Sequence, residues 1–245
     1  MPLALLAMTT FVLVHGGWTG GWRWQEVGGR LRAAGHDVYT PTLTGMGERI
    51  HLAQPGIDLQ MHVLDIVNML AAEDLHDVVL AGHSYGGVVI TGVAEQAPER
   101  LAHLIYMDAF VPQDGESLLD VLQPEARRMT EDALRRSPDG WRIRWPGSTS
   151  ADPWPPPTPR YSPQPWKTFS QPLAVTNPLA AALPRTYVRC LLDKAPGGFE
   201  ALALNPSWER AKAGGWRLRE LAAPHNGILQ EAGAAVLLEL FPPER

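Results

Sequence analysis

The chain has 245 residues, of which 45% are apolar and 19% charged, enough to bury a sizeable core within one α/β unit. A net charge of −5, with no stripe of Lys or Arg, argues against a nucleic-acid partner. The one cysteine, Cys190, excludes an internal disulfide and a cysteine-based metal site.

Met1 to Met8 is apolar but lacks a basic n-region, and the apolar run continues into Phe11-Val12-Leu13-Val14, so it reads as the approach to a strand rather than a secretory leader. Met1 and Met8 are both candidate starts; with Met8, residues 1–7 become a disordered extension ahead of it. No run is long and apolar enough to span a bilayer, and the expected location is the cytoplasm. Phe11 to Val14 is the first strand, ending at His15-Gly16-Gly17. Trp24, Val27 and Leu31 recur at helical spacing up to Gly35, and Val38-Tyr39 is a short strand closed by Pro41. Leu59, Val63, Val67, Leu70 and Ala71 share one helical face. Val78 to Ala81 is a buried strand, Val88, Val89 and Val93 belong to the next helix, and Leu101 to Met107 is a strand ending in Asp108.

The alternation then stops. Thirteen of the 23 prolines and four of the nine tryptophans (Trp141, Trp145, Trp154 and Trp166) fall between Pro112 and Pro178. A disordered linker is usually poor in aromatics, so residues 112–183 are expected to form an ordered cap inserted into a single domain. The strand pattern resumes at Thr186-Tyr187-Val188-Arg189-Cys190-Leu191, where Cys190 reads as a small buried hydrophobe. A late strand near Trp216 to Leu221 precedes a closing helix with Leu229, Val236, Leu237 and Leu240. Strands alternating with helices predict an α/β fold with a mostly parallel sheet covered on both faces.

Gly82-His83-Ser84-Tyr85-Gly86 carries the chemistry. A G-x-S-x-G between an apolar strand and a helix puts the serine on a tight turn, with its Oγ at the carboxyl end of the sheet. His15-Gly16-Gly17-Trp18, after the first strand, suits one backbone donor of an oxyanion hole, at Gly17, with Tyr85 as the other; two such fixed donors contribute a few kcal/mol each, roughly. His225 is the only histidine after His103 and follows the last strand, where the base is expected. His83 and His15 read as structural hydrogen-bonders. Two carboxylates end strands at the same rim, Asp193 and Asp108, and either could fix the imidazole tautomer.

These segments, with Gly20-Gly21-Trp22 and Thr40-Pro41-Thr42-Leu43-Thr44-Gly45-Met46-Gly47-Glu48-Arg49, resemble the bacterial branch of the α/β-hydrolase group that contains the plant methyl-salicylate and methyl-jasmonate esterases and hydroxynitrile lyases. The similarity runs from about Phe11 to Pro112 and again from Pro184. It implies Ser84 as nucleophile, His225 as base, and Gly17 and Tyr85 as oxyanion donors. Cys190-Leu191-Leu192-Asp193-Lys194 is similar to the plant esterases' C-x-x-D-K, which favours Asp193 as the acid. Asp108 occupies the position that other, lipase-like members use. Gly16 and Asn226 stand where the lyases carry threonine and lysine, which favours esterase chemistry; the plant esterases carry methionine at the position of Asn226.

The resulting expectation is a cofactor-free carboxylic ester hydrolase acting through an acyl-enzyme. Its substrate pocket is expected around Gly16, Trp18 and Asn226, and its substrate is a bulky apolar or aromatic ester; a homodimer is compatible with this reading. The alternatives are a C–C lyase or cyclase using the same serine and histidine, and a hydrolase-like ligand receptor.

Overall fold

The computed structural model describes residues 8–146, 160–192 and 198–243. Its main sheet has six strands, all parallel: β1 (Thr10–Val14), β2 (Asp37–Tyr39), β3 (Val78–His83), β4 (Leu101–Met107), β7 (Arg185–Cys190) and β8 (Arg217–Leu221), in the order β2-β1-β3-β4-β7-β8. The strands contain short, unbroken apolar runs because both faces of the sheet are covered. In β1, Phe11 and Leu13 point into one cluster and Val12 and Val14 into the other, all with no exposed surface. Val79 and Ala81 of β3 repeat the alternation against Val78 and Leu80.

On one face lie α1 (Gln25–Ala33), through Val27 and Leu31, and α9 (Glu231–Leu240), through Ala234, Val236 and Leu237. The other face is covered by α2 (Leu59–Ala72), α3 (Gly86–Gln96) and α8 (Phe199–Ala213). Asp58 caps α2, its carboxylate accepting from Met61 N at 2.9 Å. Two boundaries differ from the sequence reading. Trp24 ends a 3₁₀ turn (Gly21–Trp24) ahead of α1, and the closing helix starts after a 3₁₀ turn (His225–Leu229) that holds Leu229.

Between β4 and β7 the described residues form short elements: α4 (Leu118–Val121), α5 (Pro124–Arg135), α6 (Lys167–Ser170), α7 (Pro178–Ala182), and a small antiparallel pair of β5 (Arg142–Ile143) with β6 (Gln164–Pro165). Trp154 lies outside the described residues. Because every main strand runs the same way, the loops after β1, β3, β4 and β8 all emerge at one edge. The strand order reverses beside β1, which opens a crevice there.

Candidate active site

Ser84 follows β3 directly and has φ +53°, a conformation that costs a non-glycine residue about 1–3 kcal/mol. The surrounding backbone holds it there: Gly87 N donates to Ser84 O at 3.0 Å and Phe110 N donates to the same oxygen at 3.1 Å. The flanking glycines are required by close approach. A Cβ on Gly82 would lie 2.5 Å from Gly86 O, and one on Gly86 would lie 2.6 Å from Val14 O. The turn therefore packs tightly against its own helix and against the end of β1.

His225 begins the 3₁₀ turn after β8 and is 7% exposed. Its Nδ1 is 2.6 Å from Asp108 Oδ2, so that nitrogen carries the proton and Nε2 is left as the basic atom. Asp108 follows β4, is fully buried and has φ +47°. Its own N–H donates to Val188 O at 2.7 Å, and its Oδ1 accepts from Cys190 N at 3.2 Å. The neighbouring strand β7 thus fixes the carboxylate, and Cys190 is buried where the sequence placed it. Asp193 lies outside the described residues. His83 donates from Nε2 to His225 O at 3.1 Å, and the two rings are 4.4 Å apart. Burial, and then the adjacent His225, hold His83 well below the usual histidine range, so it serves as a neutral buttress.

The loop after β1 brings up Gly16, Gly17 and Trp18. His15 organises it: Nδ1–H donates to Gly16 O at 2.7 Å while Nε2 accepts from Leu43 N at 3.1 Å. That arrangement needs a neutral ring, and burial pushes His15 down to about 4. Trp18, at φ +62°, is held by the segment between β4 and β7. Its N–H donates to Gln164 Oε1 at 3.1 Å, its indole N–H donates to Ile143 O at 2.9 Å, and its carbonyl accepts from Ser162 N at 3.0 Å. Tyr85 is anchored from the other side, its hydroxyl donating to His62 Nδ1 at 2.8 Å while His62 Nε2 donates to Thr44 O at 2.9 Å. Among the described residues, no hydrogen bond uses the backbone N–H of Gly17 or Tyr85.

Ser84, His225, Gly16, Gly17, Trp18 and Asn226 line one cavity of about 240 Å³, and Asp108 reaches it through His225. A tighter apolar pocket joins it at Ser84, walled by Tyr85, Phe110, Leu118, Leu122, Phe169 and Leu204. Sequence reasoning missed three polar groups. Arg23 enters the cavity and donates to Asn226 Oδ1 at 2.9 Å, which puts a cation beside a position where the sequence showed none. Gln164 stands behind Gly17 and Trp18. Glu200, in the first turn of α8, lines both pockets. None of the three lies in a recognisable motif, and Pro206, inside α8, masks that helix in the sequence. Among the described residues, no group of three or more His, Cys, Asp or Glu could hold a metal ion, and no helix is long and apolar enough to cross a membrane.

Comparison with known proteins agrees with the fold. The chain is 50% identical over 115 residues to the carbendazim hydrolyzing esterase of Nocardioides sp. (strain SG-4G), covering 47% of this chain and 48% of that protein. It is 31% identical over 116 residues to salicylic acid-binding protein 2 of Nicotiana tabacum, covering 46% and 44%. The matches thus span about half the length of these curated relatives. An extracellular alpha/beta-hydrolase from a Paenibacillus species superposes with a TM-score of 0.75 at 24% identity, covering 94% of this chain and 98% of that one. The expected likeness to plant methylesterases and bacterial relatives is thereby found, and the alpha/beta hydrolase family model matches residues 11–239. By that match, the chain belongs to the alpha/beta hydrolase family.

Proposed function

We propose that this chain is a serine-dependent carboxylic ester hydrolase with Ser84, His225 and Asp108 as its triad. The observation that carries the reading is the 2.6 Å contact between His225 Nδ1 and Asp108 Oδ2, in the cavity that holds the strained Ser84. Asp108 fixes the imidazole with the proton on Nδ1, and His225 takes the proton from Ser84 Oγ through Nε2 as the serine attacks the ester carbonyl. The N–H groups of Gly17 and Tyr85 donate to the oxyanion. His225 then protonates the leaving alcohol, and water releases the acyl-enzyme. The described residues within 112–183 act as a cap, because Gln164, Ser162 and Ile143 hold Trp18 and Phe169 walls the inner pocket. That pocket's apolar lining suits a bulky or aromatic acyl group. The names of the relatives support ester hydrolysis and put carbendazim among the substrates to try.

The test is hydrolysis of p-nitrophenyl and aryl esters, with carbendazim, by wild type and Ser84→Ala. The reading requires turnover by the wild type and its loss in the variant; equal rates refute it. Arg23 beside Asn226 favours one second reading, C–C cleavage with the guanidinium steadying an anionic leaving group. Cleavage of a cyanohydrin by a protein that turns over no ester would replace the first reading with this one.

A further inference from the structure

Glu200 is a half-buried carboxylate in the first turn of α8, and it lines both the outer cavity and the apolar pocket, at the place where Ser84 and His225 also line both. The triad has its acid in Asp108, so the ester chemistry makes no use of Glu200. A negative charge here even opposes the oxyanion that forms on the substrate. Other carboxylates near the cap are engaged: Glu116 with Arg210, Asp120 with Arg127 and Asp139 with Arg142. Among the described residues, no hydrogen bond or ion pair involves Glu200. The other charge on the cavity wall, Arg23, is turned to Asn226 and packs over the Trp22 ring at 5.4 Å. Trp145 and Phe199 line the apolar pocket together with Glu200, packed edge to face with ring centres 4.7 Å apart, and Trp145 meets Trp18 in the same way at 5.0 Å.

A carboxylate among aromatic faces complements a flat group that carries positive charge or paired N–H donors. Deepening the esterase reading, we propose that Glu200 selects substrates with a cationic or N–H-rich planar head, such as an amidinium or an amino-heterocycle. The head would seat against the Trp145 and Phe199 rings while the ester reaches Ser84. The same charge disfavours esters that carry a free carboxylate.

Two measurements separate this inference from the reading beneath it. In the first, benzamidine and neutral benzamide are titrated calorimetrically into Ser84→Ala and into Ser84→Ala/Glu200→Gln, with no turnover involved. The preference for benzamidine over benzamide is expected to fall about 10-fold or more when the carboxylate is lost. In the second, kcat/KM is compared for p-nitrophenyl 4-amidinobenzoate and p-nitrophenyl benzoate in wild type, Glu200→Gln and Glu200→Asp. The amidinium preference is expected to fall by a similar factor in Glu200→Gln and to be partly kept in Glu200→Asp. An unchanged preference in either comparison overturns the proposal. If the wild type hydrolyses neither ester, the esterase reading fails, and the benzamidine titration still decides the role of Glu200.

Discussion

Asp108 Oδ2 and His225 Nδ1 meet at 2.6 Å although 117 positions separate them in the chain. The contact joins the end of β4 to the loop after β8, across β7, whose Cys190 N–H holds the other carboxylate oxygen at 3.2 Å. It bears directly on which acid serves the triad. Asp108→Asn can still accept from Cys190 N through its amide oxygen, but it turns an NH₂ towards His225 Nδ1. The ring then moves its proton to Nε2 and ceases to be a base towards Ser84. We expect kcat to fall about 10³- to 10⁴-fold while the far-ultraviolet circular dichroism is retained. Asp193→Asn is the matched comparison and should stay within a few-fold of wild type. The reverse ranking would move the acid to Asp193.

Gln164 tests how the segment after β4 supports the oxyanion loop. It is fully buried, its Oε1 accepting from Trp18 N and its Nε2 donating to Thr168 Oγ1 at 2.7 Å. Gln164→Leu leaves the N–H of Trp18 buried without its acceptor, at a cost of about 1–3 kcal/mol. Trp18 at φ +62° also loses one of the bonds that hold it. The variant should melt several degrees lower, and its kcat should fall more than its KM rises, because Gly17 adjoins the loosened residue. An unchanged melting temperature together with an unchanged kcat would contradict this.

The buried histidines predict a stability loss in mild acid. Burial pushes His15 and His62 from 6.5 down to about 4, and both make hydrogen bonds that need a ring nitrogen as acceptor. Between pH 6.5 and 4 the unfolded chain takes up a proton at each ring that the folded chain excludes. Stability therefore rises with pH through that window and is complete above 6.5. Each ring contributes of order 3 kcal/mol by pH 4. Urea unfolding at pH 7, 5.5 and 4.5 checks this, and a flat free energy across the three would refute it.

The local parts of this architecture could be read in the sequence. Val78 to Ala81 followed by Gly82-His83-Ser84-Tyr85-Gly86 signals its own strand, turn and helix, because each step depends on near neighbours. The order of the chemistry, from His15 to His225, could be read for the same reason. The choice between Asp108 and Asp193 could not, because the sequence offers a carboxylate after each of two strand-like segments, and which one reaches the imidazole depends on tertiary pairing that near neighbours do not encode. Gln164, Arg23 and Glu200 were hidden because each reaches the cavity from a segment with no catalytic pattern. Helix α8 buries a face of Ala201, Leu204, Trp208 and Ala211, but its alanines and Pro206 give little helical contrast.

The elbow itself predicts intolerance to a larger residue. A Cβ at Gly86 would already lie 2.6 Å from Val14 O and 2.9 Å from His15 O, both backbone atoms that cannot yield without moving β1. Gly86→Val should sharply reduce the folded yield, and any folded fraction should lack esterase activity. A stable, active Gly86→Val protein would contradict the packing described here.

The proposed chemistry depends on Ser84 being an activated nucleophile. Reaction with a fluorophosphonate probe, followed by intact-mass and peptide analysis, tests it most directly. One adduct per chain is expected, located on Ser84, absent from Ser84→Ala and strongly slowed in Asp108→Asn. An unlabelled wild type, or an adduct on another residue that persists in Ser84→Ala, would contradict it.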